Sequence, residues 1–192
     1  MPRPRVPHRR TAILDAAEQL VLENGFDATS VAAVAARAGI GKGAVYLEFE
    51  SKSAILDALL RRGGARMQAR VDAELGTDVT LSAAYRSAVR ALLDDRLMTA
   101  AFLDDRGILG SHVSAVTDDR YRKRHAMVVE WLMQLQEQGK LRRDIDADHL
   151  ALALSSATIG LLSANAILGP LDPRQLEGAF TTLARMVSAF EI

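Results

Sequence analysis

The chain has 192 residues, with 24 lysines and arginines against 24 aspartates and glutamates, so it carries no formal net charge. That balance excludes a protein that coats polyanions through bulk charge. Apolar residues make up 49% of the chain and charged ones 25%, which excludes a largely disordered or collagen-like chain. No cysteine is present, so a disulfide framework and a thiolate metal site are excluded as well. A chain of this length buries roughly 70% of its unfolded surface on folding, enough for a sizeable core.

The amino terminus, MPRPRVPHRR, is basic but leads directly into a charged helical pattern. The apolar run of roughly 7 to 15 residues that marks a secretory signal is missing there, which predicts a cytoplasmic protein. The first helix begins near Thr11, carries Ile13, Leu14, Ala17, Leu20 and Val21 as its apolar stripe, and stops at Gly25. Thr29-Ser30 is a helix-start signal for a short helix reaching Ala38, Gly39-Ile40-Gly41 makes a turn, and a second short helix covers Lys42 to Phe49. Ser51 opens a longer fourth helix, which Gly76-Thr77-Asp78 separates from a fifth starting near Thr80. Gly63-Gly64 weakens the fourth helix and reads either as a hinge or as a close approach to the first helix. Arg106 to Gly110 is irregular, and a long helix follows from Asp118 to Gln138. Asp146 caps a charge-free helix, and Asp172-Pro173 starts a last one that runs to about Phe190. The stretch Leu150 to Leu171 is long enough to test as a membrane span of about 20 residues. Its Ser155, Ser156, Thr158, Ser163 and Asn165, and the Gly169-Pro170 ending, favour a buried helix and no membrane. The fold class is therefore all-α, with about nine helices and no convincing strand.

Functional content concentrates in Val31 to Glu50, VAAVAARAGIGKGAVYLEFE. Ala35 lets two helices cross closely, Gly39 supplies the positive φ of a tight turn, and Val34, Ile40 and Val45 fill the wedge between them. This is helix-turn-helix spacing. Together with Gly25-Phe26, Thr29-Ser30-Val31, Ala38-Gly39-Ile40, Gly43, Val45-Tyr46, Phe49 and Ser51-Lys52, the segment resembles the amino-terminal domain of the tetracycline-repressor (TetR) family of transcription regulators.

The resemblance covers about residues 8–68 and implies a three-helix DNA-binding domain there, with the helix-turn-helix at 31–50. Residues 69–192 would form a helical bundle for ligand binding and dimerisation. Lys42 to Phe49 becomes the recognition helix in the major groove of a double-stranded DNA operator. Thr29 offers its hydroxyl and Ser30 the N–H groups of its helix start to phosphates. Lys42 reaches a phosphate or a guanine edge, small Gly43 and Ala44 let the helix approach the bases, and the Ala44 methyl can meet thymine. Tyr46 gives its phenol to a phosphate, Leu47 touches thymine methyls or sugar, and Lys52 favours phosphate at the start of the fourth helix. Glu48 departs from the family pattern: a carboxylate near phosphates must accept from a cytosine amino group or pair with a nearby arginine. Arg3, Arg5, Arg9 and Arg10 make a flexible arm able to enter a minor groove or follow the backbone.

One such domain makes few phosphate contacts, so a two-fold operator and a homodimer are expected. The last two helices, about 147–168 and 173–190, are the candidates for the interface. The first of them has no charged face and carries Ser156, Gly160 and Ala164 at four-residue spacing; the second has a stripe of Leu176, Phe180, Leu183, Val187 and Phe190. The resemblance further implies a small-molecule effector in the bundle, where Trp131, Tyr121, Phe102, Met133, His112 and Asn165 are possible lining residues. No cofactor and no metal are expected, and the chain is not expected to be an enzyme. His8, His112, His125 and His149 are far apart in sequence and form no ligand motif, and no phosphate loop or catalytic triad spacing occurs.

Overall fold

A computed structural model describes residues 8–76, 79–103, 105–112, 120–169 and 172–192. Among them are ten helices: α1 (Arg9–Asn24), α2 (Val31–Arg37), α3 (Lys42–Tyr46), α4 (Lys52–Leu75), α5 (Leu81–Leu93), α6 (Arg96–Leu103), α7 (Arg106–Leu109), α8 (Arg120–Glu137), α9 (Ala147–Leu168) and α10 (Pro173–Ser188). An isolated antiparallel bridge between Leu141 and Glu191 is the only extended pairing among the described residues. The helix count exceeds the expected nine because the fifth helix ends at Asp94, Asp95 accepts from Met98 N to start α6, and Asp105 caps the single turn of α7. Asp95 and Asp105, each the second residue of an acidic pair, thus mark helix starts. The predicted start of α8 at Asp118 lies outside the described residues.

Several helix starts follow directly from local chemistry. Ser30 Oγ accepts from Ala33 N, Ser51 Oγ from Ala54 N, and Thr80 from Ala83 N, each satisfying an N–H that has no partner within its helix. Asp146 does the same for His149, and Asp172 forms a reciprocal capping box with Gln175 ahead of Pro173.

The chain divides into two compact units, and the division falls within α4. The first comprises the described residues of 1–66 and 95–116. Its core joins Ile13, Ala17 and Val21 of α1, Val34 of α2, Val45 of α3, and Leu56 and Leu59 of α4 to Leu97 of α6 and Leu109 of α7, which are both fully buried. So α6 and α7 pack with the amino-terminal helices, although the sequence reading groups them with the carboxy-terminal bundle. Arg62 pairs with Asp15 and Glu18, and Arg66 with Glu18 and Asp95, tying α4 to α1 and to the start of α6. Glu18 foremost, with Asp95, holds the Arg66 pKa above its already high ordinary value. Gly63 is buried, and a Cβ there would collide with the Met98 sulfur. The close approach is therefore to α6, and not to α1.

The second unit comprises the described residues of 67–94 and 117–192. Leu81, Leu132, Leu135, Leu141, Leu150, Leu154 and Val187 form its core. Helix α10 packs on α5 and α9 on α8. The expected buried helix at 147–168 is buried on one side only. Leu150, Ala151, Leu154 and Thr158 face inward, while Leu152 is 57% and Ile159 37% exposed. Over Ala147–Ala164, a window long and apolar enough to cross a membrane by composition, only 22% is buried within this chain. The α10 stripe divides differently from its expected role: Phe180 and Val187 point into the subunit, and Met186 is 62% exposed.

Candidate nucleic-acid interface

The helix-turn-helix is built by three local devices. Gly39 has φ 68° and donates to Ala36 O, and Ile40 N donates to Ala35 O, which closes α2 through a left-handed residue that a side chain would strain. Val34, Ala35 and Val45 are buried between the helices, and Ile40 packs half-buried against them. The recognition helix α3 is shorter than predicted and ends at Tyr46. Leu47 N to Gly43 O and Phe49 N to Val45 O nevertheless continue the i to i−4 pattern through the following turn.

Of the expected DNA-facing residues, the fold gathers one group on an open surface. Ser30, Lys42 and Gly43 are exposed, Ala44 is half-buried, Tyr46 is 48% exposed, and Leu47 is 79% exposed. A Cβ at Gly43 would meet no atom within 4 Å, so the missing side chain serves no packing inside the protein. The Lys42 ammonium lies 5.9 Å from the Tyr46 ring centroid and remains at the surface.

Two of the expected phosphate-contacting residues make contacts within the protein instead. Thr29 is only 4% exposed and donates its hydroxyl to Gly25 O at 2.8 Å. Its proton is spent on closing the α1–α2 loop, and burial keeps it from a phosphate. Lys52 donates to Phe26 O at 2.9 Å and Asp27 O at 3.3 Å, with its ammonium 4.2 Å from the Phe26 ring centroid. Lys52 therefore staples the same loop to the start of α4.

That loop also receives the α7 segment. Phe26 N donates to Ile108 O, and a Cβ on Gly25 would stand 2.6 Å from Gly107 O, so the backbones meet too closely for a side chain. Asp27 accepts from the Ser111 hydroxyl at 2.6 Å and from Ser111 N at 2.9 Å. Those two bonds, the hydroxyl foremost and with Lys52 adding a smaller attraction, hold the Asp27 carboxyl below its usual range against the opposing effect of burial. His112 is buried beside the Phe26 ring, with Nε2 3.2 Å from Asp57 Oδ1. It belongs to this loop contact.

Two residues of the expected flexible arginine arm are helical. Arg9 and Arg10 are the first residues of α1, and both contact the end of α3: Arg9 Nε lies 3.2 Å from Glu48 Oε1, and Arg10 donates to Glu48 O at 3.0 Å. Arg3 and Arg5 lie outside the described residues. The contacts of Arg9, Arg10, Asp27 and Ser111 join residues far apart in sequence, so no spacing signal could have announced them.

In the second unit, Trp131 packs at the rim of the core and Met133 is 51% exposed. Phe102 is half-buried on α6, and the side chains of Tyr121 and Asn165 are outside the described set. Two open grooves, each of about 490 Å³, occur there. One runs along α9 and α10 past Gly160, Leu161, Leu183 and Met186; the other lies beside Val129, Met133 and His125 of α8. The fold also brings His125, distant in sequence, to the capped start of α9: its Nε2 meets Asp148 at 2.8 Å, and Asp146 and His149 lie beside Asp148.

An exposed recognition helix behind a tight glycine turn, on an all-α chain with a separate helical unit, defines a helix-turn-helix DNA-binding protein. Comparison with known proteins specifies the family. Residues 13–59 match the model of bacterial regulatory proteins of the tetR family. The chain is 30% identical over 149 residues to the transcriptional repressor KstR2 of Mycobacterium tuberculosis H37Rv, covering 75% of this chain and 74% of that protein. It is 24% identical over 158 residues to the transcriptional regulator UidR of Escherichia coli K12, covering 80% of each. The structure of the ketosteroid transcriptional regulator KstR2 of M. tuberculosis superposes with a TM-score of 0.59 at 25% identity, covering 97% of this chain and 96% of that one. The chain belongs to the TetR family, and it is a DNA-binding transcription regulator, not an enzyme.

Proposed function

We propose that the chain is a cytoplasmic homodimeric repressor that binds a palindromic operator through residues 29–52 and leaves it when a small, largely apolar molecule enters its second unit. The observation that carries the DNA-binding part is the surface of α3. Gly43 has open space where a Cβ would stand, and Leu47, an apolar residue, is 79% exposed beside Lys42 and Tyr46. A solvated helix gains nothing from a glycine in its middle or from an exposed leucine at its end, whereas a helix seated against bases and sugars gains from both. Ser30, Lys42, Gly43, Ala44, Tyr46 and Leu47 make the contacts. Thr29 and Lys52 act behind them by fixing the loop and the start of α4.

Dimerisation is supported by the uncovered apolar surface. Ala157, Gly160 and Leu161 of α9 form a continuous face with Ala179, Leu183 and Met186 of α10, and a second copy of this face would cover it. In this reading residues 8–68 bind DNA, and within residues 69–192 the part that belongs to the second unit binds the effector and the second subunit. The repressor relative whose structure is described as a ketosteroid regulator supports both the negative sign of regulation and an apolar effector. Titrating the protein against its own upstream DNA at several salt concentrations tests the reading. Tight, salt-sensitive binding with two or four chains per site is expected, and no preference over random DNA would refute it.

A further inference from the structure

We infer that Glu48 is a positioning residue which, together with Arg9 and Arg10, clamps the carboxy-terminal end of the recognition helix and does not read a base; the inference rests on the operator reading. Helix α3 spans only Lys42–Tyr46, too short to hold its own direction. At its start it is set by the Gly39 turn. Just past its end, Arg10 donates to the Glu48 carbonyl, and its guanidinium stacks 4.2 Å from the Phe49 ring centroid. Phe49 is 5% exposed and anchors the clamp in the core. The Glu48 carboxylate takes Arg9 as an ion pair at 3.2 Å, a charge contact without hydrogen-bond alignment of Arg9 Nε. Both side chains are more covered than their neighbours on the outward face: Glu48 is 25% and Arg9 29% exposed, against 48% for Tyr46 and 79% for Leu47. The outward surface thus belongs to Tyr46 and Leu47, while Glu48 turns back to α1. Pairing also neutralises a carboxylate that phosphates would otherwise repel.

Removing the carboxylate should therefore let the end of α3 shift and blur recognition across the whole half-site, whereas loss of a base reader blurs one base pair. The test is selection from random duplex DNA, read by sequencing, with wild-type protein, E48Q, R9Q and the double variant, each checked by thermal melting. Operator-over-random preference is the measured ratio, because a lost charge changes both affinities and largely cancels. Wild type enriches a two-fold sequence. E48Q and R9Q enrich the same consensus with the ratio lowered about tenfold and spread over every position, and the double variant is no worse than either alone. R9Q removes the same contact from α1 and serves as the second arm should E48Q lose its fold. Loss confined to one base pair in E48Q, an unchanged ratio, or single effects that multiply in the double variant would overturn the assignment. A wild-type protein that enriches nothing would overturn the operator reading itself, before any variant is compared.

Discussion

Replacing Gly43 by alanine should strengthen the fold and weaken the operator complex at once. Gly43 lies within α3, and a Cβ built on it has no neighbour within 4 Å, so alanine causes no collision inside the protein. Alanine exceeds glycine in a helix by about 0.8–1.0 kcal/mol. α3 has only five residues and its end frays into a turn, so the gain should fall toward the lower side, about 0.5 kcal/mol. Spread over a chain of this size, that is a rise in melting temperature of about 1–2 °C. The same methyl stands on the exposed face between Lys42 and Tyr46, where the reading places the bases. Forcing α3 outward by part of a methyl diameter should lower operator affinity about tenfold or more, since each 1.4 kcal/mol of lost contact is one factor of ten. Circular-dichroism melting and a fluorescence-anisotropy titration on the same preparation give the two readouts. Stability and affinity rising together, or affinity unchanged, would refute the claim that the empty space above Gly43 is reserved for DNA.

Other substitutions separate the outward residues from those that support them. Thr29→Val keeps the shape but leaves the part-buried Gly25 carbonyl without its hydroxyl donor, so unfolding free energy should fall by about 1 kcal/mol while the folded protein keeps its operator affinity. A Thr29→Val protein of normal stability that binds DNA weakly would restore the phosphate contact assigned from sequence. Leu47→Ala should do the reverse, with little change in melting because the side chain is 79% exposed, and with a measurable loss of operator affinity by gel shift. Asp27 has a folded pKa below its unfolded value, so its contact with Ser111 contributes stability that is present above the ordinary carboxylate pKa near about 4 and is lost as the pH falls through the lower folded value. Asp27→Asn should accordingly flatten the acid limb of the stability profile, and an unchanged acid limb would count against that contact. Gly160 also has open space for a Cβ, so Gly160→Arg should leave the subunit folded, yield monomers in sedimentation, and abolish tight operator binding; a dimer of unchanged strength would move the interface elsewhere.

Local interactions were legible in the sequence because their partners lie within a few residues. Ser30, Asp146 and Asp172 cap helices that start one residue later, the Gly39 turn follows from a requirement for positive φ, and the spacing of Val34, Ala35 and Val45 places them between two helices without knowledge of the rest. Those same features carried the family resemblance and hence the DNA-binding function. The tertiary structure alone decided which polar groups face outward and which face the protein. Thr29 and Lys52 match the family pattern by type and position, but a hydroxyl or an ammonium near a loop goes to whichever acceptor the fold brings close, here the carbonyls of Gly25, Phe26 and Asp27. It likewise decided that α6 and α7 share a core with α1, because Leu97 and Leu109 look like any apolar residues until long-range packing supplies their partners. The charge balance of the chain gave no sign that Arg9 and Arg10 are folded against Glu48 and Phe49, since contacts between residues so far apart in sequence depend on the path of the backbone and not on composition.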